Sequence, residues 1–75
     1  MSLSSIRSGD SFVVKGIGGS KIFKLRLASM GIMRGARLDV KETSLAKQVI
    51  KLIVDGSSIV AVRLEEAKNI QGDRA

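Results

Sequence analysis

Short runs of alternating or continuous apolar residues dominate the chain and predict a mainly β protein. Residues 11–17 are rich in β-branched and aromatic side chains and have glycines on both sides, which predicts a first strand. In residues 37–41, apolar and charged side chains alternate strictly, which predicts a half-exposed strand. Two further apolar runs, 49–54 and 59–64, flank the turn-forming segment Asp55–Ser58 and predict a hairpin.

One segment, Lys21–Met30, has the period of an α-helix instead. Ser20 precedes it as a candidate N-cap, and Gly31 follows it where a left-handed residue commonly ends a helix. Leu25 falls on the polar side of this helix, between lysines. The side chains expected to face the core are Phe23, Leu27 and Met30, with Ile22 at the edge of that side.

The remaining segments complete a single small domain spanning residues 1–75. Gly35 is expected to supply the positive φ of a tight turn over Met33–Ala36, and residues 43–47 are expected to form a polar connection. A short helical turn is predicted at residues 65–70. Because so few strands cannot form two packed sheets, we expect an SH3-like β-barrel with one inserted helix. The core of this domain would span about residues 3–70, and residues 71–75 would be frayed.

Composition removes several classes of chemistry. The 75 residues include no cysteine and no histidine, which excludes disulfides, thiolate nucleophiles, zinc fingers and imidazole bases. The glycine-rich segment 16–21 has neither the third glycine of a dinucleotide loop nor the Gly-Lys-Ser/Thr order of a P-loop. The longest apolar run, Ile59–Val62, is far shorter than the roughly 20 residues of a membrane span. We therefore predict neither an enzyme nor an inserted membrane protein, and no cofactor.

Metal binding has little support in the acidic residues. The seven acids are scattered except for the adjacent Glu65 and Glu66. Carboxylates suit hard or borderline cations, so these two or Asp55 are weak candidates for a loose contact. Solvated charge is the simpler interpretation, and no metal site is predicted.

The excess of positive charge lies in residues 1–41. The net charge is +6, and residues 1–41 hold eight Lys or Arg against two Asp. A basic surface suits nucleic acid, anionic lipid or an acidic protein, and it also occurs on ordinary domains. The only aromatics, Phe12 and Phe23, fall on apolar phases, which weakens the case for base stacking. The candidate partner-binding residues are Lys21, Lys24, Leu25, Arg34 and Arg37.

A pattern spread over residues 3–70 resembles the FeoA family. The family's Arg-Leu pair, glycines and later Ala-Leu-Arg and Glu-Ala groups correspond here to a set of structural motif residues: Arg26, Leu27, Met30, Gly31, Gly35, Ala61, Arg63 and Ala67. Three departures matter. Arg34 stands where the family usually has proline. Ser44 and Gln48 stand where prolines are common in the connecting loop, and the hairpin after Gly56 is one residue longer than usual. Gln71-Gly72 replaces the usual final valine strand, so that strand is expected to be curtailed.

The resemblance implies an SH3-like cytoplasmic accessory protein of bacterial ferrous iron uptake, which acts with the membrane transporter FeoB and its cytoplasmic G domain. It implies protein–protein docking by a monomer or weak homo-oligomer, with no nucleic acid. Two alternatives stay open: a small nucleic-acid-binding barrel and a self-associating scaffold. A similar domain ends some metal-dependent repressors, but the DNA-binding region joined to it there has no counterpart in this sequence, so a repressor is disfavoured.

Overall fold

The structure is a computed structural model that describes residues 1–44 and 46–75. A 3-10 turn at Leu3–Ser5 comes first. In chain order the elements that follow are β1 Ser11–Ile17, α1 Lys21–Ser29, β2 Arg37–Ser44, β3 Val49–Val54, β4 Ser58–Arg63, α2 Leu64–Ala67 and β5 Ile70–Arg74. The five strands form one antiparallel sheet in the order β4-β3-β2-β1-β5.

The alternation in the strands places one side of each in a common core. The predicted hairpin forms, and in it Ile50 lies opposite Val62 and Leu52 opposite Val60. These pairs bring side chains on one face of the sheet into contact, which is how antiparallel strands stabilise each other. The side chains with no more than 2% exposure are those of Leu3, Phe12, Val14, Leu27, Ile32, Leu38, Val40, Ile50, Leu52, Val62, Ala67 and Ile70.

The predicted ends of α1 are confirmed. The hydroxyl of Ser20 accepts a hydrogen bond from the Phe23 amide at 3.1 Å. After the helix, Gly31 has φ +84°, and the Ile32 amide donates to the Leu27 carbonyl at 2.9 Å. This six-residue closure is the Schellman ending, in which a left-handed residue lets the chain turn back over the last carbonyls.

The turn after α1 also forms as predicted. The Ala36 amide donates to the Met33 carbonyl at 2.9 Å, and Gly35 has φ +92°. Arg34, in place of the proline usual in the family, does not prevent this turn, because the positive φ comes from the glycine.

The prediction that Ile22 lies at the edge of the core is wrong. Leu27 is the one fully buried residue of α1, and Phe23 and Met30 pack partly against the core. At about 100° per residue, Ile22 lies about 140° around the helix from Leu27. Because the buried stripe is narrow, this angle turns the Ile22 side chain to solvent, with 79% exposure.

The C-terminal segment is ordered as a strand instead of fraying or being curtailed. Strand β5 pairs with β1 through Val13↔Asp73 and Val14↔Gly72. On its other side, the Gly72 amide donates to the Met1 carbonyl at 2.9 Å and the Met1 ammonium donates to the Gly72 carbonyl at 3.0 Å. Gly72 is buried beside the Phe12 ring. The missing side chain is what lets β5 approach β1 so closely, so the glycine permits the strand that it was expected to shorten.

The sheet does not close into a complete barrel. Within residues 1–44 and 46–75, β4 and β5 each pair with one neighbouring strand and remain edges. Strand β2 is longer than predicted: it runs to Ser44 with a register shift between Val40 and Glu42. The predicted polar connection over 43–47 therefore begins later, and Leu45 within it lies outside the described residues.

Candidate functional site

The outward side of α1 combines apolar and cationic side chains. Ile22 and Leu25 are three residues apart, so they are neighbours on the helix surface, and Leu25 is 60% exposed. Lys21 and Lys24 are exposed beside them. These four residues are called the helix face below. A large apolar pair held in water within a positive rim is the kind of surface that protein partners cover.

The two arginines predicted beside this face lie on the segments that follow α1. Arg34 is exposed in the turn before β2. Arg37 begins β2 and pairs with Asp39, with 3.3 Å between Nε and Oδ1, while its Nη2 donates to the Ser11 hydroxyl at 3.1 Å. Among the described residues, no hydrogen bond or ion pair joins either arginine to the helix face. The positive charge of Arg37 is therefore partly neutralised by Asp39 within the sheet.

Asp39 has a lowered pKa. The largest cause is the hydrogen bond that its Oδ1 accepts from the Ser11 hydroxyl at 2.6 Å, and the contacts with Arg37 act in the same direction against a desolvation that raises the pKa. These interactions favour the carboxylate form. Asp39 therefore stays ionised, and the hydrogen bond that it accepts from Ser11 joins β1 to β2.

Several motif residues meet where α1 approaches β4 and α2. Arg26 Nη2 donates to Glu66 Oε2, and the Arg26 guanidinium lies 5.7 Å from the centre of the Phe23 ring. The other oxygen of Glu66 accepts from the Arg63 amide at 2.9 Å. Ala67, just beyond, is fully buried. One carboxylate therefore joins the helix to the end of β4, which gives these positions a structural role.

This arrangement also bears on the weak metal candidates. Glu66 is engaged by Arg26 and by the Arg63 amide, and Asp55 accepts a hydrogen bond from the Arg37 amide at 2.9 Å. Glu65 is exposed. Within the part of the chain that the structure describes, no three acidic side chains come together as a group that could hold a metal ion.

A groove that the sequence did not reveal lies between α1 and the edge strand β4. Arg26 and Met30 form its helix side, and Ala61, Val62 and Arg63 form its strand side. Its volume is about 310 Å³. Val49 and Glu66 complete the lining. We call this cavity the edge groove. It joins residues far apart in sequence, so no local pattern could have indicated it.

Neither helix among the described residues has the length and hydropathy to cross a bilayer.

Comparisons with known proteins agree with this architecture. The FeoA domain family model matches residues 1–74. The solution structure of a FeoA protein from Chlorobium tepidum is 27% identical, with a TM-score of 0.90 over 99% of this chain and 70% of that one. Stenotrophomonas maltophilia FeoA, crystallised with zinc and described as an SH3 domain protein, is 23% identical, with a TM-score of 0.78 over 97% of this chain and 89% of that one.

A repressor contains a similar domain. A manganese-dependent transcriptional repressor is 26% identical, with a TM-score of 0.89 over the whole of this chain and 36% of its own length. No curated protein sequence matches the chain. The fold is thus SH3-like, as the sequence predicted, although its sheet stays open.

Proposed function

Because this chain belongs to the FeoA domain family, which is associated with ferrous iron transport, we propose that it is a cytoplasmic accessory protein of ferrous iron uptake that binds the membrane transporter FeoB. It acts by docking on the transporter's cytoplasmic G domain and performs no catalysis. The observation that carries this proposal is the exposed Ile22 and Leu25 pair on a basic helix.

The helix face has two features of a docking surface: apolar side chains that a partner can bury, and positive charge. Covering a large apolar side chain contributes about 1.5–3 kcal/mol, so the pair supplies a compact source of affinity. Lys21 and Lys24 beside it attract an acidic surface, which speeds association and selects the partner's charge. Arg34 is an exposed cation in the turn that follows the helix, and Arg37 contributes less because Asp39 pairs with it. An acidic face of the G domain is the partner surface that fits.

The test is an NMR titration of the ¹⁵N-labelled protein with the isolated G domain, and in a parallel tube with a short mixed DNA duplex. We expect amide shifts in residues 21–37 with the G domain and none with DNA. Shifts with DNA alone would favour a nucleic-acid-binding domain, and shifts confined to other residues would exclude the helix face.

A variant pair tests the same surface by affinity. Lys24→Glu combined with Leu25→Ser changes two exposed side chains, so the fold should be kept. We expect binding at least about tenfold weaker, which corresponds to about 1.4 kcal/mol. Lys41→Glu, an exposed position on β2, reverses the same charge away from the helix and serves as the control. Equal affinities of the wild type and the double variant would contradict the proposal.

A further inference from the structure

Strand β4 has main-chain groups on its outer side that make no hydrogen bond to any described residue. The Leu64 amide donates to the Gln48 carbonyl at 2.8 Å, in continuation of the β3–β4 register. Bonded and non-bonded pairs alternate along an antiparallel ladder, so Val62 and every second residue before it bond to β3. The amide and carbonyl groups of Ile59 and Ala61 therefore point away from the sheet.

Among the described residues, this edge lacks three features that keep edge strands from pairing: charge, proline and a bulge. Residues 58–62 contain no charge and no proline, and their register with β3 runs without a shift. Ile59 is 69% exposed. At the other edge of the sheet, Met1 hydrogen-bonds the outer side of Gly72. A straight, uncharged and uncovered edge is a template for one more strand.

The edge groove gives such a strand a place to lie. An extended segment along β4 would run between that strand and Met30 at the C-terminal end of α1, with Val49 and Val62 also lining the cavity. The two arginines that line the groove differ in their ion pairing. Arg26 is paired with Glu66, whereas among the described residues Arg63 has no ion-pair partner. The groove therefore combines free main-chain bonding groups, an apolar lining and one available guanidinium.

We propose that the β4 edge receives an extended, acidic segment of the protein partner as a sixth strand, with a carboxylate of that segment beside Arg63. Main-chain bonds to Ile59 and Ala61 supply affinity, and the groove selects the side chains that alternate along the segment. A second copy of this chain fits less well, because each copy carries a net charge of +6 and would repel the other. This inference rests on the proposed function, since the partner is taken to be the transporter.

A pair of substitutions at Ala61 distinguishes the contribution of its outward-facing amide to binding from that of its side chain. Ala61→Pro removes an amide that makes no bond to β3, and proline is tolerated at an edge strand with that geometry. Ala61→Thr adds a side chain of similar bulk and keeps the amide, so it is the matched control. Binding of each variant to full-length FeoB in lipid nanodiscs is measured beside the wild type.

We expect Ala61→Pro to bind at least tenfold more weakly than Ala61→Thr, which adds comparable bulk to the groove and keeps the amide. Hydrogen exchange of the wild type gives a second readout that needs no variant: the Ile59 and Ala61 amides should gain at least tenfold protection when the transporter is added.

Each other result overturns the inference. If the wild type binds while Ala61→Pro binds equally well, or while these two amides gain no protection, strand addition is wrong and the proposed function stands. If the wild type does not bind the transporter, both fail. Protection that grows with protein concentration in the absence of the transporter would assign the edge to a second copy.

Discussion

Replacing Gly72 by alanine tests the close approach of β5 to β1. A Cβ at this position would press on the Val13 carbonyl oxygen and would lie 2.7 and 2.8 Å from Cε2 and Cζ of Phe12. Such distances are well inside van der Waals contact. Phe12 is fully buried, so its ring cannot move into solvent. The strain must be relieved by shifting β5 away from β1.

The expected cost follows from what that shift disturbs. Overpacking a buried site costs about 1–3 kcal/mol. Moving Gly72 also weakens its two hydrogen bonds with Met1, each with a net contribution of about 0.5–1.5 kcal/mol. Alanine restricts the unfolded chain and offsets about 0.4–1 kcal/mol of this. The net loss is about 2–3 kcal/mol, which lowers the Tm of so small a domain by about 10–20 °C.

The measurement is thermal unfolding followed by far-ultraviolet circular dichroism, because the chain has no tryptophan or tyrosine for fluorescence. Gly16→Ala is the matched control. Gly16 pairs with Gln71 in the same two strands, and a Cβ there would meet no atom within 4 Å. We expect the control to be unchanged or more stable by up to about 1 kcal/mol. A Gly72→Ala protein that melts within about 3 °C of the wild type would refute the close packing of β5 on Phe12.

Two further predictions concern the motif glycine and the ionised carboxylate. Gly31→Val should cost more than about 1 kcal/mol, because valine is strained at φ +84° and its Cβ would lie 3.2 Å from Val54 Cγ1; an unchanged melting temperature would contradict this. Ser11→Ala removes the largest cause of the lowered pKa of Asp39, so that pKa should rise towards its usual value in a carboxyl ¹³C titration. A lowered pKa stabilises the fold above the unfolded-state pKa, and this is lost as pH falls through the folded-state pKa. The Asp39 carboxylate should therefore make the wild type more stable than Ser11→Ala at neutral pH, and this contribution should shrink as the pH falls. Identical carboxyl titrations of the two proteins would exclude the role of Ser11.

Local sequence signals predicted most elements because their causes are local. Ser20 and Gly31 set the ends of α1 through bonds within a few residues. The alternation in β2 and β3 decides which side chains face the core whatever the topology is. The turn at Gly35 likewise needs only its own φ.

The features that the sequence did not predict depend on distant parts of the chain. A helical wheel gives angles but not the width of the stripe that the sheet covers, which is why Ile22 was misplaced. Position 72 requires glycine because of the Phe12 ring, and Phe12 lies 60 residues earlier in the sequence. The pair Arg26–Glu66 spans 40 residues, and no spacing rule joins them. The sequence names Lys21, Lys24 and Leu25 as candidate docking residues, but it indicates neither the exposure of Ile22 beside them nor the edge groove.

Arg26 lies between the two proposed surfaces and explains why they can be separated by experiment. Its guanidinium is held by Glu66 and lies near the Phe23 ring, so it adds little free charge to either surface. The positive charge of the helix face comes from Lys21 and Lys24, and that of the edge groove comes from Arg63. Because Glu66 also holds the Arg63 amide, this junction fixes α1 relative to β4. A substitution on the exposed helix face therefore leaves the groove intact, and one at Ala61 leaves the helix face intact.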